Sequence, residues 1–279
     1  MSSHILVTND DGVTSPGILA LKQALEALGQ VTVFAPDRNW SAAGHSKTMH
    51  KPLRIQQVVL ADGSPAYTTN GAPSDCVGLA LLGAVPVQPD LVVSGINQGP
   101  NLGHDITYSG TVAGAMEAVV GGLPAIAVSM ENGEWRDFDA VTGVVTELAR
   151  LILERGLPPN TLLNVNAPAR SAGDIAGVAV TRLGRRVYKD VLIEREDPKG
   201  RPYYWIGGEP PGGVVEDGTD IGVVARGFIS VTPLTMDMTN YPFLKNLREW
   251  LALSDSGSLD SHSSGPLPGF EEGAEKNRR

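Results

Sequence analysis

The chain has 279 residues, 42% of them hydrophobic, and 31 acidic against 22 basic side chains give a formal charge of -9. That length fits one large domain or two ordinary ones, and the acidic balance argues against a general binder of DNA or anionic membranes, which depend on basic patches. A small anionic ligand stays open, because a metal ion or aligned backbone N–H groups can hold it locally. The single cysteine, Cys76, excludes an intramolecular disulfide framework, and its apolar surroundings (76–82) predict a buried structural thiol. No stretch approaches the ~18 apolar residues of a membrane span, and Met1–Thr8 has no basic segment leading into a long apolar one, so a cytoplasmic protein is expected.

Ile5-Leu6-Val7-Thr8 reads as a buried strand bounded by the turn signal Asn9-Asp10-Asp11-Gly12. Ser15-Pro16 then supplies a helix cap and first-turn proline, with Ile18, Leu19, Leu21, Leu25 and Leu28 as the apolar stripe and Gly29 as the expected stop. Val31–Ala35 is a second strand. This strand–helix–strand order predicts parallel pairing with a right-handed crossover. The alternation continues with a helix from Ala72 to about Gly83, a strand at Leu91–Ser94, and a helix over Thr111–Val120. A strand at Pro124–Met130, a helix over Phe138–Arg155 and a strand at Leu162–Asn166 close the series. The pattern predicts an α/β fold: a Rossmann-like, mostly parallel sheet with helices on both faces over residues 1–170.

From about residue 170 the texture changes. Arg182–Tyr204 mixes charged residues with Val, Ile and Tyr without a helical period and predicts a protruding β-hairpin arm, with Tyr203–Ile206 facing another subunit. Gly227–Pro233 predicts one more strand and Tyr241–Leu253 a terminal helix. Residues 171–253 are therefore expected to serve oligomerisation. The Ser-, Gly- and Asp-rich segment 254–279 has too few apolar residues to offset its ordering entropy and is expected to be a disordered tail.

Ligands of open α/β sheets bind beyond the carboxyl ends of the strands. Three loops should open there: Asn9–Gly12, Pro36–Ser46 and Gly95–Asp105. Adjacent carboxylates such as Asp10 and Asp11 repel unless something positive neutralises them, and the neighbouring Ser and Asn oxygens suit Mg²⁺, Mn²⁺ or Ca²⁺ better than zinc. Taken alone, the pair reads equally well as an ordinary polar turn. Gly95, Gly99 and Gly103 recur every four residues before Ser109-Gly110-Thr111, where a helix start suits a phosphate. A long, tight loop would look the same. The loop matches neither Walker A nor G-x-G-x-x-G, and no G-x-S-x-G elbow occurs, which argues against P-loop, dinucleotide and ordinary α/β-hydrolase chemistry. His45 and His104 sit in candidate loops, where a loop hydrogen-bonder is commoner than a proton carrier.

Two motifs together carry a specific resemblance. Ile5–Gly12, and Ser94–Gly103 running into Tyr108-Ser109-Gly110-Thr111-Val112-Ala113-Gly114-Ala115, resemble the signatures of the survival protein SurE family. Gly218-Thr219-Asp220 and Ile229–Leu234 resemble its later landmarks, so the likeness spans roughly residues 4–250. It implies a metal-dependent nucleotidase, a phosphomonoesterase acting on nucleoside 5'-monophosphates or 3'-monophosphates. It also implies one Mg²⁺ or Mn²⁺ per subunit on Asp10, Asp11, Ser41 and Asn97, and a homodimer or homotetramer with exchanged C-terminal arms and helix. Ala42 stands where many relatives have Gly.

On that basis Asp10 or Asp11 is expected to orient the attacking water. Asn97, the Gly95–Gly99 amides and Ser109-Gly110-Thr111 are expected to bind phosphate. Gly110→Val is then expected to weaken phosphate binding and leave metal affinity near normal. The alternatives are an aspartyl-phosphate mechanism, a broader acid phosphatase or exopolyphosphatase, and a non-catalytic nucleotide or metal sensor.

Overall fold

The structure, a computed structural model, describes residues 3–133 and 137–251. It divides after Met236 into two compact units. The strands of the first are β1 (Ser3–Thr8), β2 (Gly29–Pro36), β3 (Ile55–Val59), β4 (Pro65–Thr69), β5 (Leu91–Gln98), β6 (Ala125–Met130), β7 (Thr161–Ala167), β8 (Gly177–Val180), β9 (Arg186–Glu196), β10 (Pro202–Gly213) and β11 (Phe228–Thr235). Nine of them form one sheet in the order β3-β4-β2-β1-β5-β6-β7-β11-β8. The run β4-β2-β1-β5-β6-β7 is parallel throughout, whereas β3 and β11 enter antiparallel.

Side-chain alternation along the strands feeds two cores, as a sheet covered on both faces requires. Ile5, Val7, Val33 and Val93 point to helices α1 (Pro16–Leu25) and α4 (Asp139–Arg155), meeting Ile18, Leu21, Val145 and Ile152. Leu6, Phe34 and Val92 point the other way, to α2 (Pro73–Leu81) and α3 (Gly110–Val120), meeting Val77, Val112, Ala115 and Val119. The expected doubly covered α/β sheet is present. Cys76 is fully buried in the second core, where burial pushes its thiol well above the usual value.

Local signals place most boundaries. Ser15 Oγ accepts the Ile18 N–H at 3.3 Å to start α1, and Ser109 Oγ accepts the Val112 N–H at 3.1 Å to start α3. Gly29 is not the expected helix stop. It opens β2, paired opposite Ser3, because the turn after α1 closes already at Leu25–Leu28. The β3–β4 hairpin was not anticipated, although its connection Ala61-Asp62-Gly63-Ser64 carries the Asp-Gly turn signal. The short strand β8 and the six-residue helix α5 (Asp220–Ala225) were also missed.

β9 and β10 pair antiparallel with each other and form a separate two-stranded sheet. Its root is tied by Asp220, a fully buried carboxylate at the start of α5 that accepts N–H groups from Gly103 (2.8 Å), Gly184 (2.7 Å) and Ile221 (2.8 Å). Asp220 thus joins the glycine-rich loop to the base of the hairpin. Asp220→Ala should leave three buried donors unpaired at about 1–3 kcal/mol each. We expect a loss of about 3 kcal/mol or more, a fall in Tm on the order of 6–12 °C by calorimetry; an unchanged Tm would show the clamp to be dispensable.

The second unit contains α6 (Tyr241–Trp250), capped by Asn240, whose Oδ1 accepts the Phe243 N–H at 3.2 Å. Phe243 and Trp250 pack edge to face about two helical turns apart. The helix ends at Trp250 with Leu251 in a turn; the expected end at Leu253 and the expected tail 254–279 lie outside the described residues.

Candidate active site

The connection out of β1 leads to β2 on one side, whereas β5 pairs with β1 on the other. The loops beyond β1 and β5 therefore diverge and leave a crevice at their carboxyl ends, where such sheets bind ligands. A cavity of about 270 Å³ lies there. Of the residues expected to act, Asp10, Ser41, Asn97, Gly99 and Ser109 line it, joined by Gln98, Asn101, Asp105 and Tyr108.

Asp10 is buried, and its Oδ1 accepts the hydroxyl of Thr111 at 2.5 Å from the first turn of α3. Its carbonyl accepts the Trp40 N–H at 2.7 Å, which draws the loop after β2 over the site. Burial pushes the Asp10 carboxyl above the ordinary carboxylate value. The Thr111 hydroxyl opposes that rise, and the charge of Asp11 adds to it. Asp11 is half-buried and also raised by burial; the Gln98 N–H at 3.2 Å, on Oδ2, offsets part of this, while its Oδ1 takes Asn39 Nδ2 at 3.3 Å. Among the described residues no Lys or Arg forms an ion pair with either carboxylate.

Asn97 donates through Nδ2 to Gly99 O at 2.7 Å, which fixes the amide and leaves Oδ1 without a hydrogen bond among the described residues. Ser41 is exposed, and its own N–H is held by Asn39 Oδ1 at 2.7 Å. With Asp10 and Asp11 these supply only oxygen donors, a set that suits a hard divalent cation. The described residues contain no cluster of three His, Cys, Asp or Glu that could form a metal site of another type.

Several expected phosphate contacts are otherwise engaged. Gly95 is buried within β5, where a side chain would strike Val128 O at 2.3 Å; it serves strand packing and does not line the cavity. The Gly99 N–H donates to Met130 O at 2.8 Å and the Gln98 N–H to Asp11, so neither is free for phosphate. Thr111 is fully buried, with its hydroxyl on Asp10. At the start of α3 the Ser109 N–H is taken by Asp105 O, the Thr111 N–H by Asp10 and the Val112 N–H by Ser109 Oγ, whereas the Gly110 N–H has no hydrogen-bond partner among the described residues. Gly110 has a second role. A Cβ there would meet Asp10 Cβ at 2.7 Å and Oδ2 at 2.9 Å, so the missing side chain is what lets α3 close on Asp10.

Supporting contacts lay beyond sequence reasoning because they join distant segments. Asn101 bridges β6 and β7: its N–H donates to Asn166 Oδ1 (2.7 Å), its Nδ2 to Ser129 Oγ (2.8 Å), and its carbonyl accepts Asn164 and Asn166 Nδ2. His45 and Lys47 both reach the buried Glu117 of α3, at 2.9 and 2.8 Å, and Thr48 donates twice to Asp75 of α2. His45 therefore anchors the loop that carries Ser41. His104 is exposed and does not line the cavity. Arg186 Nε at 2.5 Å and Tyr188 Oη at 2.7 Å, both from β9, hold the two oxygens of Asp105, which tethers the hairpin to the cavity wall.

The chain matches known proteins. The model of the family described as Survival protein SurE matches residues 5–190, from β1 into β9. A protein of Chloroflexus aggregans named 5'-nucleotidase SurE is 54% identical over 250 residues, 88% of this chain and 98% of that one. Another of the same name from Herpetosiphon aurantiacus is 56% identical over 246 residues, covering 88% and 96%. The crystal structure of the SurE protein from Aquifex aeolicus superposes with a TM-score of 0.76 at 45% identity, over 88% of this chain and 99% of that one. With a family match that includes every segment lining the cavity, the chain belongs to the survival protein SurE family.

Proposed function

We propose that this protein is a metal-dependent nucleotidase that hydrolyses nucleoside monophosphates to nucleoside and phosphate. The observation that carries this reading is the pair Asp10 and Asp11: two adjacent carboxylates at the sheet's switch point, raised by burial and without a basic partner among the described residues. Such a pair is stable as dianion only beside a cation. Asp10, Asp11, Ser41 Oγ and Asn97 Oδ1 would hold one Mg²⁺ or Mn²⁺ per subunit. When bound, that ion would neutralise phosphate charge as a Lewis acid.

The residues supply the positioning. The Gly110 N–H, at the positive end of α3, would bind a phosphate oxygen. Ser109 and Asn97 line the cavity and would add polar contacts. Asp11, less buried than Asp10, would orient a water for attack on phosphorus and accept its proton. Thr111 would keep Asp10 in one rotamer. The name 5'-nucleotidase carried by relatives about half identical over nearly their whole length supports the substrate class. The test is phosphate release from a panel of nucleoside 5'- and 3'-monophosphates, with EDTA and with Mn²⁺ restored. Hydrolysis that EDTA abolishes and Mn²⁺ recovers is expected; release unaffected by EDTA would reject the metal.

No described helix is long and apolar enough to cross a membrane, and the proposed setting is the cytoplasm. We further propose a core over 1–170 and an assembly segment over 171–253, in a homodimer or homotetramer. Midway along the hairpin, Leu192 and Ile206 on one face and Val191 and Trp205 on the other are 53–82% exposed, apolar surface that another copy could cover. Deleting 182–206 would also remove Arg186 and Tyr188 from Asp105, so a cleaner change replaces residues 191–207 by an Asn-Gly turn joining the paired Asp190 and Gly208. Sedimentation should then show a smaller assembly with nucleotidase activity retained per subunit; an unchanged mass would place the interface elsewhere.

A further inference from the structure

The phosphate end of a nucleotide accounts for the polar lining of the cavity and leaves the base unassigned. Among the described residues Tyr108 is the one aromatic that lines the cavity, and it is 61% exposed. The backbone that carries it is fixed. Its N–H donates to Asp105 O at 3.0 Å, its carbonyl accepts the Gly44 N–H at 2.9 Å, and the next N–H, of Ser109, also donates to Asp105 O at 3.1 Å. Asp105 is in turn gripped by Arg186 and Tyr188. An exposed ring on a braced backbone has little to gain by folding and much to offer a ligand.

Trp40, on the loop that leads to Ser41, is the other aromatic near Asp10. It does not line the cavity, and cations already cover its ring, with Arg38 at 4.9 Å and Lys51 at 5.6 Å from the centroid. Tyr108 lies two residues before Gly110, so their Cα atoms are at most about 7.6 Å apart. A nucleoside monophosphate separates base from phosphate by a distance of that order. A phosphate on the Gly110 N–H would thus bring the base to the rim where Tyr108 stands.

We propose that Tyr108 is the stacking platform for the substrate's base, and hence the residue through which this site distinguishes nucleotides from simpler phosphate esters. The inference rests on the nucleotidase reading above. Stacking on an aromatic face tolerates every base, because each has a π-face. Tyr108 is therefore expected to favour nucleotides as a class without selecting one base.

The test compares AMP with ribose 5-phosphate, which keeps the sugar phosphate and lacks the base, as substrates for the full-length enzyme with Mn²⁺. Tyr108→Ala should raise KM for AMP about tenfold, with kcat within about twofold, while KM for ribose 5-phosphate stays within about twofold of the parent. Tyr108→Phe, which keeps the ring, should retain the parent's KM for AMP. A Tyr108→Ala variant unchanged toward AMP, or equally impaired toward both esters, would overturn the proposal, as would loss of AMP affinity in Tyr108→Phe. A parent that hydrolyses both esters with the same KM would overturn it while sparing the phosphatase chemistry. A parent that hydrolyses neither would reject the nucleotidase reading itself.

Discussion

Asp10→Asn and Asp11→Asn should each lower phosphate release from AMP by at least about a hundredfold, because loss of groups one shell further out from a metal already costs 10–100-fold. Without metal the same variants should be more stable than the parent. Asp10 titrates above its ordinary value because it is buried, with the charge of Asp11 adding to that effect. The native state therefore holds a proton that the unfolded chain has already released. Stability then falls as pH rises from the ordinary carboxylate range through the raised value, above which the penalty is complete. Replacing the carboxylate by an amide removes the ionisation and keeps an acceptor for Thr111.

Calorimetry of the metal-free proteins at pH 7 should show a higher Tm for Asp10→Asn, at about 2–4 °C per kcal/mol relieved. Mn²⁺ at a hundred times its Kd should stabilise the parent by about 2.7 kcal/mol and leave the variant nearly unmoved. A variant that retains both activity and the Mn²⁺ shift would remove Asp10 from the site.

Gly110→Val should be nearly as damaging, for a reason the sequence did not disclose. Read along the chain, Gly110 keeps a helix start open to phosphate, and its replacement should spare the metal. In the fold, a Cβ at this position would lie 2.7 Å from Asp10 Cβ and 2.9 Å from Oδ2. No real Cβ tolerates such contacts, so either α3 moves outward or Asp10 leaves its rotamer and its bond with Thr111. Overpacking of this kind typically costs 1–3 kcal/mol. Mn²⁺ affinity and phosphate affinity should therefore fall together, each by about tenfold or more, when measured by titration calorimetry with Mn²⁺ alone and then with phosphate added. Normal Mn²⁺ binding with weakened phosphate binding would restore the simpler role. Gly110→Ala, which adds only the Cβ, should show the same pattern to a smaller degree.

The sequence by itself determined the layer architecture and marked the loops to which the chemistry is assigned. Apolar runs such as Ile5–Thr8 and Leu91–Ser94 alternate with capped helical patterns, and that alternation permits little besides a parallel sheet covered on both faces. Turn residues after β1 and β5 then marked the loops that such a sheet gathers at one edge. The adjacency of Asp10 and Asp11 was legible as local chemistry, whereas the choice of Ser41 and Asn97 followed from the resemblance to the family.

Tertiary structure decided which groups remain available. Hydrogen-bond capacity is finite, and whether the Gly99 N–H faces a ligand or Met130 O depends on a strand about thirty residues away. The clamp of Asp220 on Gly103 spans 117 residues, and the grip of Arg186 on Asp105 spans 81. No periodicity or motif encodes such pairings, because they arise only when the chain's long-range packing brings the partners together. The same holds for Gly110, whose missing side chain matters through its distance to Asp10, a hundred residues earlier in the chain.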